Sequence, residues 1–120
     1  MVADQEQALK FYTEILGFVK REDIPVPGGG RWLTVVASDE PDGTELLLEP
    51  LGFAPAGTYQ RELHDAGIPW TSFLVTDLAK EYERLTKLGV AFSIKPTKTG
   101  PTTIAVFDDT CGNLIQLFQP

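Results

Sequence analysis

The sequence predicts an α+β fold of two paired βαβββ units that form a curved mixed sheet with a cleft. Helix and strand patterns follow the same order in both halves of the 120-residue chain. In addition, residues 34–50 and 104–120 share one pattern, in which a strand, an acidic turn containing glycine, an apolar strand and a proline follow one another. A repeat at a spacing of about 70 residues indicates two supersecondary units rather than a solenoid.

The first half is predicted to be a helix followed by three strands. Asp4 is a candidate N-cap, apolar residues recur after it at helical spacing, and Gly17 stands where a glycine would end the helix. The strands are predicted at 18–24, 31–37 and 44–49. The strand that should precede the helix is very short or missing, because only three residues stand before Asp4.

The second half repeats this order with its leading strand present. A strand at 70–75 is followed by a helix that runs from the N-cap candidate Asp77 to Gly89. Pro96 is predicted to lie in the turn after the next strand. The last three strands are predicted at 90–95, 102–108 and 114–119.

The two halves are predicted to make one domain over residues 1–120. The chain is long enough to bury a core of its own. The first unit covers 1–50, a connector with a short helix at 58–66 covers 51–67, and the second unit covers 68–120.

Composition and charge argue against several classes of partner. Seventeen acidic and ten basic residues give a net charge of −7, which opposes binding to nucleic acid and to anionic membranes. No apolar run approaches the roughly 18 residues of a membrane-spanning helix. Cys111 is the single cysteine and cannot form an internal disulfide, and the chain starts with a helix signal rather than a secretory leader. These features predict a cytoplasmic protein.

Four stretches of sequence together carry a family resemblance that extends over essentially the whole chain. They are DQEQALKFYTEILGF at 4–18, GRWLTVV at 30–36, TELLLEP at 44–50 and FDDTCGNLIQLFQ at 107–119. In this combination the sequence resembles the vicinal-oxygen-chelate superfamily of glyoxalases, bleomycin-resistance proteins and extradiol dioxygenases. The resemblance implies a cleft that binds small molecules, often at a divalent metal, and that a second subunit frequently completes.

The resemblance also implies four metal ligands, in the first and last strands of each unit. The first strand is almost absent, Trp70 stands where the second unit would supply a histidine, and Gln116 replaces the usual carboxylate of the last strand. Alignment of the two units places Leu47 opposite Gln116 and leaves Glu49 as the only weak candidate for a metal ligand. One carboxylate and a neutral amide do not hold a divalent ion. No cofactor is therefore predicted, and a bound divalent metal is the less favoured alternative.

Indole, amide and aliphatic groups are left to line the predicted cleft. Strand alternation puts Ser72 on the face of Trp70, and Phe118 on the face of Gln116, while Trp32 either reaches the same space or packs under the helix. Such walls suit a flat, largely apolar organic molecule, although the same side chains could instead fill the interior. The predicted ligand-binding residues are Trp32, Leu47, Glu49, Trp70, Ser72, Gln116 and Phe118.

No catalytic residue is predicted. His64, the only histidine, is interpreted as a surface residue rather than a general base, because its neighbour Asp65 would point elsewhere on a helix. Cys111 is expected to be solvated or half-buried in a turn, and no cationic neighbour that would activate it is evident.

Three functions remain open at this level. The favoured one is binding of a small, largely apolar or aromatic molecule in a metal-free cleft, as the resemblance to bleomycin-resistance proteins implies. The alternatives are a metal-dependent lyase, isomerase or dioxygenase, which would need ligands from outside this chain, and a non-catalytic structural dimer. A homodimer is expected because the short first strand leaves an unpaired edge, and because clefts of the superfamily are commonly shared between chains.

Overall fold

The computed structural model describes residues 1–120, which fold into two units, 1–57 and 58–120. None of its helices has the length and apolar character needed to cross a lipid bilayer. In chain order the elements are α1 (Gln5–Lys10), a π-helical turn (Phe11–Ile15), β1 (Val19–Pro25), β2 (Arg31–Val36), β3 (Leu46–Leu47), α2 (Ala54–Asp65), β4 (Thr71–Leu74), α3 (Leu78–Lys87), β5 (Phe92–Thr99), β6 (Thr102–Asp108) and β7 (Leu114–Gln119).

The first unit holds a three-stranded antiparallel sheet in the order β1-β2-β3. Its leading strand is reduced to one parallel bridge between Val2 and Pro50, which confirms the prediction of a very short first strand. The predicted strand at 44–49 is regular only over Leu46–Leu47. Beyond Leu47, Leu48 N still donates a 2.8 Å hydrogen bond to the Leu33 carbonyl of β2, and the Glu49 carbonyl accepts a 2.7 Å hydrogen bond from the Val2 N–H on the other edge.

The core of the first unit lies between its helix and one face of its sheet. Ala8 and Tyr12 on the helical side, and Leu33 and Val35 on β2, are at most 3% exposed. Because side chains alternate along a strand, Trp32 and Thr34 on β2 point to the other face of the sheet.

The second unit holds a four-stranded sheet in the order β4-β7-β6-β5, in which β4 and β7 are parallel and the other pairs antiparallel. In the second unit, the leading strand β4 lies at the edge of the sheet and pairs in parallel with the last strand, β7. The first unit has the same order, because its leading residue Val2 makes a parallel bridge to Pro50, just after its last strand. The α+β class and the βαβββ order are thus confirmed. The predicted bounds of the last two strands, 102–108 and 114–119, agree with the structure to the residue.

Helix α3 covers one face of the second sheet. The Asp77 carboxylate caps it by accepting a 3.0 Å hydrogen bond from Lys80 N, as the sequence predicts. Tyr82 on this helix contacts Phe92 edge-on at 4.7 Å between ring centroids, and Leu85 is fully buried. The opposite face of the sheet, which carries Ser72 and Gln116, is therefore the one that α3 leaves uncovered.

Two predicted boundaries are wrong. Strand β5 continues through Pro96 to Thr99, instead of turning at the proline. β5 is the last strand of its sheet, and its register shifts between Ile94 and Thr97, so the missing N–H of Pro96 breaks no ladder hydrogen bond. Helix α2 begins at Ala54, four residues before the predicted start.

Candidate ligand-binding site

A pocket of about 310 Å³ lies in the first unit. Two of its aromatic walls are open to solvent, since Trp32 is 50% exposed and Phe53 is 71% exposed. Its volume falls at the lower end of the range for pockets that hold small organic molecules. The lining residues are Met1, Val26, Arg31, Trp32, Leu47, Glu49, Pro50, Gly52 and Phe53.

Strand pairing brings three of the predicted ligand-binding residues together in this pocket. Thr34 on β2 lies opposite Leu47 on β3. A 2.8 Å hydrogen bond from Leu48 N to the Leu33 carbonyl continues the same register one residue beyond β3. One step further along, this register places Glu49 opposite Trp32 and on the same face of the sheet. Trp32 therefore lines this pocket of the first unit and does not pack under the helix.

The guanidinium group of Arg31 is held at the pocket wall by two carboxylates. Its Nε and Nη2 donate to the two oxygens of Asp23 at 2.8 and 2.9 Å, and its Nη1 donates to Glu6 at 2.8 Å. The hydrogen bonds from Arg31 lower the pKa of Asp23 from its ordinary value of 3.8, and the same contacts raise the pKa of Arg31. Arg31 is thus already paired within the first unit.

Gln5 ties the helix to the strands that form the pocket, a role that the sequence analysis missed. Its carboxamide accepts a 2.9 Å hydrogen bond from Arg31 N, and donates to the carbonyls of Arg31 and Leu48 at 2.7 and 2.9 Å. No sequence signal marks Gln5, because its partners lie 26 and 43 residues away.

Three more predicted site residues, Ser72, Gln116 and Phe118, share the sheet face of the second unit that lies opposite α3. Gln116 Nε2 donates a 3.1 Å hydrogen bond to Ser72 Oγ, across the parallel pair of β7 and β4. Phe118 and its strand partner Leu74 follow on the same face, and Leu74 is 62% exposed. This face thus combines one amide–hydroxyl pair with apolar side chains.

Trp70 lies directly before β4, beside a second pocket of about 290 Å³ in the second unit. Its indole contacts the ring of Tyr59 at 5.7 Å between centroids, in an edge-on arrangement. The other residues of this pocket are Leu63, Ile68 and Pro69.

His64 has a carboxylate partner, contrary to the sequence prediction. Its Nε2 lies 2.8 Å from Asp108 Oδ2, and the two side chains are 37% and 36% exposed. The carboxylate of the neighbouring Asp65 is 4.0 Å from the other ring nitrogen. The contact with Asp108 leaves no local signal in the sequence, because the two residues are 44 positions apart.

Cys111 is buried, with 2% exposure, so the expected solvated or half-buried position is also wrong. It lies in the turn between β6 and β7, which is organised around the fully buried carboxylate of Asp109. The Asp109 side chain accepts hydrogen bonds from the backbone N–H groups of Cys111 and Asn113 at 2.8 and 3.0 Å. Gln60 of α2 also reaches this turn and donates a 3.0 Å hydrogen bond to Asn113 Oδ1.

The side chains at the family's metal-ligand positions do not fit a divalent metal. The first-strand residue of the first unit, Val2, is apolar and 2% exposed. Trp70 cannot ligate through its protonated indole nitrogen, Gln116 supplies a neutral amide, and Glu49 supplies the one carboxylate. The structure contains no group of three or more His, Cys, Asp or Glu side chains that could hold a metal ion.

Fold and site together define a paired βαβββ protein with an aromatic, ligand-sized pocket in its first unit. A sequence model of the Glyoxalase/Bleomycin resistance protein/Dioxygenase superfamily matches residues 1–117. The chain belongs to this superfamily, which confirms the resemblance found in its motifs.

Three similar proteins cover nearly the whole chain. The protein YurT of Bacillus subtilis (strain 168) is 57% identical over 118 residues, which are 98% of this chain and 92% of YurT. The crystal structure of UcmS2 is 36% identical with a TM-score of 0.82, and the match covers 98% of this chain and 90% of UcmS2. TnmS3, an antibiotic binding protein from Streptomyces sp. CB03234, is 32% identical with a TM-score of 0.78, and the match covers 99% and 88% of the two chains.

Proposed function

We propose that this protein binds a small, largely apolar or aromatic organic molecule in the pocket of its first unit, without a metal. The observation that carries the proposal is the half-exposed indole of Trp32 in the wall of a mainly apolar pocket of about 310 Å³. When a flat apolar ligand covers a large aromatic surface in a concave site, apolar area of both partners is removed from water. This burial favours binding.

The similarity to TnmS3 supports this proposal. TnmS3 is an antibiotic binding protein, and its 32% identity over 99% of this chain supports a related binding role here. The amide–hydroxyl pair of Gln116 and Ser72, with Phe118 on the same sheet face, is a separate candidate contact surface for a small molecule within the second unit.

The two tryptophans allow the pocket to be tested by fluorescence. In a Trp70→Phe variant Trp32 is the sole tryptophan, and in a Trp32→Phe variant Trp70 is the sole one. Titration with planar antibiotics and aromatic metabolites is expected to quench Trp32 emission and to give saturable binding by calorimetry. Binding that survives Trp32→Ala but is lost in Trp70→Ala would move the site to the Trp70 pocket, and no binding across the panel would refute the proposal.

The absence of a metal from the functional protein is part of the proposal. It is supported by the donor set, in which Glu49 is the single carboxylate at the family's ligand positions. Metal analysis of the purified protein should find far less than one equivalent of nickel, zinc, manganese or iron, and added metal should not raise the melting temperature. A near-stoichiometric metal content would contradict this and favour a metal-dependent enzyme.

We further propose a cytoplasmic homodimer. Strand β4 is the outermost strand of its sheet, with one neighbour, and Leu74 on it is 62% exposed. The cytoplasmic location rests on the single cysteine and the acidic composition. Size-exclusion chromatography with light scattering should give twice the chain mass, and a monomer at micromolar concentration would contradict the dimer. Cell fractionation tests the location.

A further inference from the structure

We infer that the ligand of the first-unit pocket is an aromatic cation whose protonated amine pairs with Glu49. This inference rests on the proposed function and adds the charge of the ligand to it. It starts from the two charged side chains in the pocket wall, Arg31 and Glu49, which differ in whether they are already paired.

Arg31 does not favour an anionic ligand. Its guanidinium donates from all three nitrogens to Asp23 and Glu6, at distances of 2.8 to 2.9 Å. Asp23 also pairs with Lys20 at 3.4 Å, so the charges of Arg31 and Lys20 are balanced by those of Asp23 and Glu6. An anion at Arg31 would gain little, because it would also be repelled by the two carboxylates that hold the guanidinium.

Glu49 is the charged group that remains available. Its side chain is exposed and makes no hydrogen bond or ion pair, whereas its neighbour on the same face, Glu45, accepts a 2.7 Å hydrogen bond from the Thr34 hydroxyl. Glu49 and Trp32 both line the pocket, and extending the β2–β3 register by two residues from Thr34 and Leu47 brings them to opposite positions on one sheet face.

A carboxylate beside an open indole is suited to an aromatic ammonium ion. The ammonium group donates to the Glu49 oxygens while it lies against the electron-rich face of Trp32, and the ring system of the ligand covers the apolar wall. A neutral ligand of the same shape makes the apolar contacts alone. An ion pair and a cation–π contact at a partly exposed site together favour the cation by about tenfold in affinity.

Three dyes of nearly identical shape test the charge. At neutral pH 9-aminoacridine is a cation, protonated at its ring nitrogen and with the charge shared by its exocyclic NH₂ group, which supplies the N–H donors for Glu49; acridine is neutral and acridine-9-carboxylate is an anion. Calorimetric titration of the wild-type protein should rank them in this order, with about a tenfold step between cation and neutral dye that shrinks at high salt. Trp32→Ala should weaken the binding of all three.

Two variants that each remove one negative charge show whether Glu49 causes the preference for the cationic dye. Glu49→Gln is expected to reduce the preference for 9-aminoacridine to the part that the cation–π contact with Trp32 provides, and to leave the affinity for acridine unchanged. Glu22→Gln is the matched control, because Glu22 lies on the same sheet face through its pairing with Thr34 but is not part of the pocket wall. It should keep the preference.

The outcomes separate this inference from the proposed function. Equal affinity of the wild type for 9-aminoacridine and acridine would overturn the inference and leave the binding function intact. Loss of the preference in Glu22→Gln as large as in Glu49→Gln would also overturn it, since a diffuse acidic surface would then suffice. If none of the three dyes binds, the inference fails, and the wider panel of antibiotics and metabolites decides the binding function by itself.

Discussion

Gly112→Ala is expected to destabilise the protein strongly, because no side chain fits at this position. Gly112 has a φ of +103°, a conformation that costs an L-residue about 1–2 kcal/mol. A Cβ there would lie 2.6 Å from Gln60 Oε1 and 2.7 Å from its Cδ. Gln60 is 5% exposed and is bonded to Asn113, so moving its carboxamide disrupts a buried hydrogen bond at a cost of about 1–3 kcal/mol. The free energy of unfolding should therefore fall by about 2–5 kcal/mol.

Urea denaturation followed by far-UV circular dichroism measures this loss. In a Gln60→Ala background the collision is absent, so Gly112→Ala should then cost only the conformational part, about 1–2 kcal/mol. Gly89→Ala is a second control, since Gly89 has a φ of +87° and open space around its Cβ position. An equal loss in the wild-type and Gln60→Ala backgrounds would refute the reasoning, as would a loss for Gly89→Ala as large as that for Gly112→Ala.

Three further perturbations test other contacts. Trp32→Ala should lower the free energy of unfolding by only about 1–2 kcal/mol, because half of the side chain is already in water, but it should remove ligand binding. A loss of about 4 kcal/mol would instead show that Trp32 is a core residue. The pKa of Asp23 is lowered from 3.8 by Arg31, so their contact stabilises the protein above that pH and is lost below it. The stability advantage of the wild type over Asp23→Asn in urea titrations should thus shrink as the pH falls below 3.8, and an advantage that grows there would contradict the assignment. A double-mutant cycle of His64→Ala and Asp108→Ala should give a coupling energy of about 0.5–1 kcal/mol, whereas additive losses would show that their 2.8 Å contact contributes nothing.

Much of the fold was predictable because its signals are local. The caps Asp4 and Asp77 accept the expected hydrogen bonds from residues three positions on, and both sit directly before the helix that they start. Strands β6 and β7 match their predicted bounds because each is a short run of β-forming residues between clear turns. The repeat of the two units also followed from sequence, because each unit reuses one order of such local signals.

The candidate site was predictable only in part. Trp32, Leu47 and Glu49 were named from the sequence and do meet in one pocket. Whether Trp32 faced that pocket or the helix could not be decided, because a one-residue change of register exchanges the two faces of a strand. The role of Gln5 left no trace in the sequence, since its hydrogen bonds join backbone groups far along the chain.

Sequence alone determined which segments are helices and strands, how they repeat, and which kinds of side chain stand at the positions where relatives would hold a metal. Tertiary structure decided which charged side chains pair. It joins Arg31 to Asp23 and His64 to Asp108, and it leaves the Glu49 side chain without a hydrogen bond or ion pair. The physical reason is the distance along the chain over which each kind of interaction acts. Capping, turn chemistry and hydrophobic periodicity act within a few residues, whereas the neighbour of a charged side chain is set by strand register and helix packing over tens of residues.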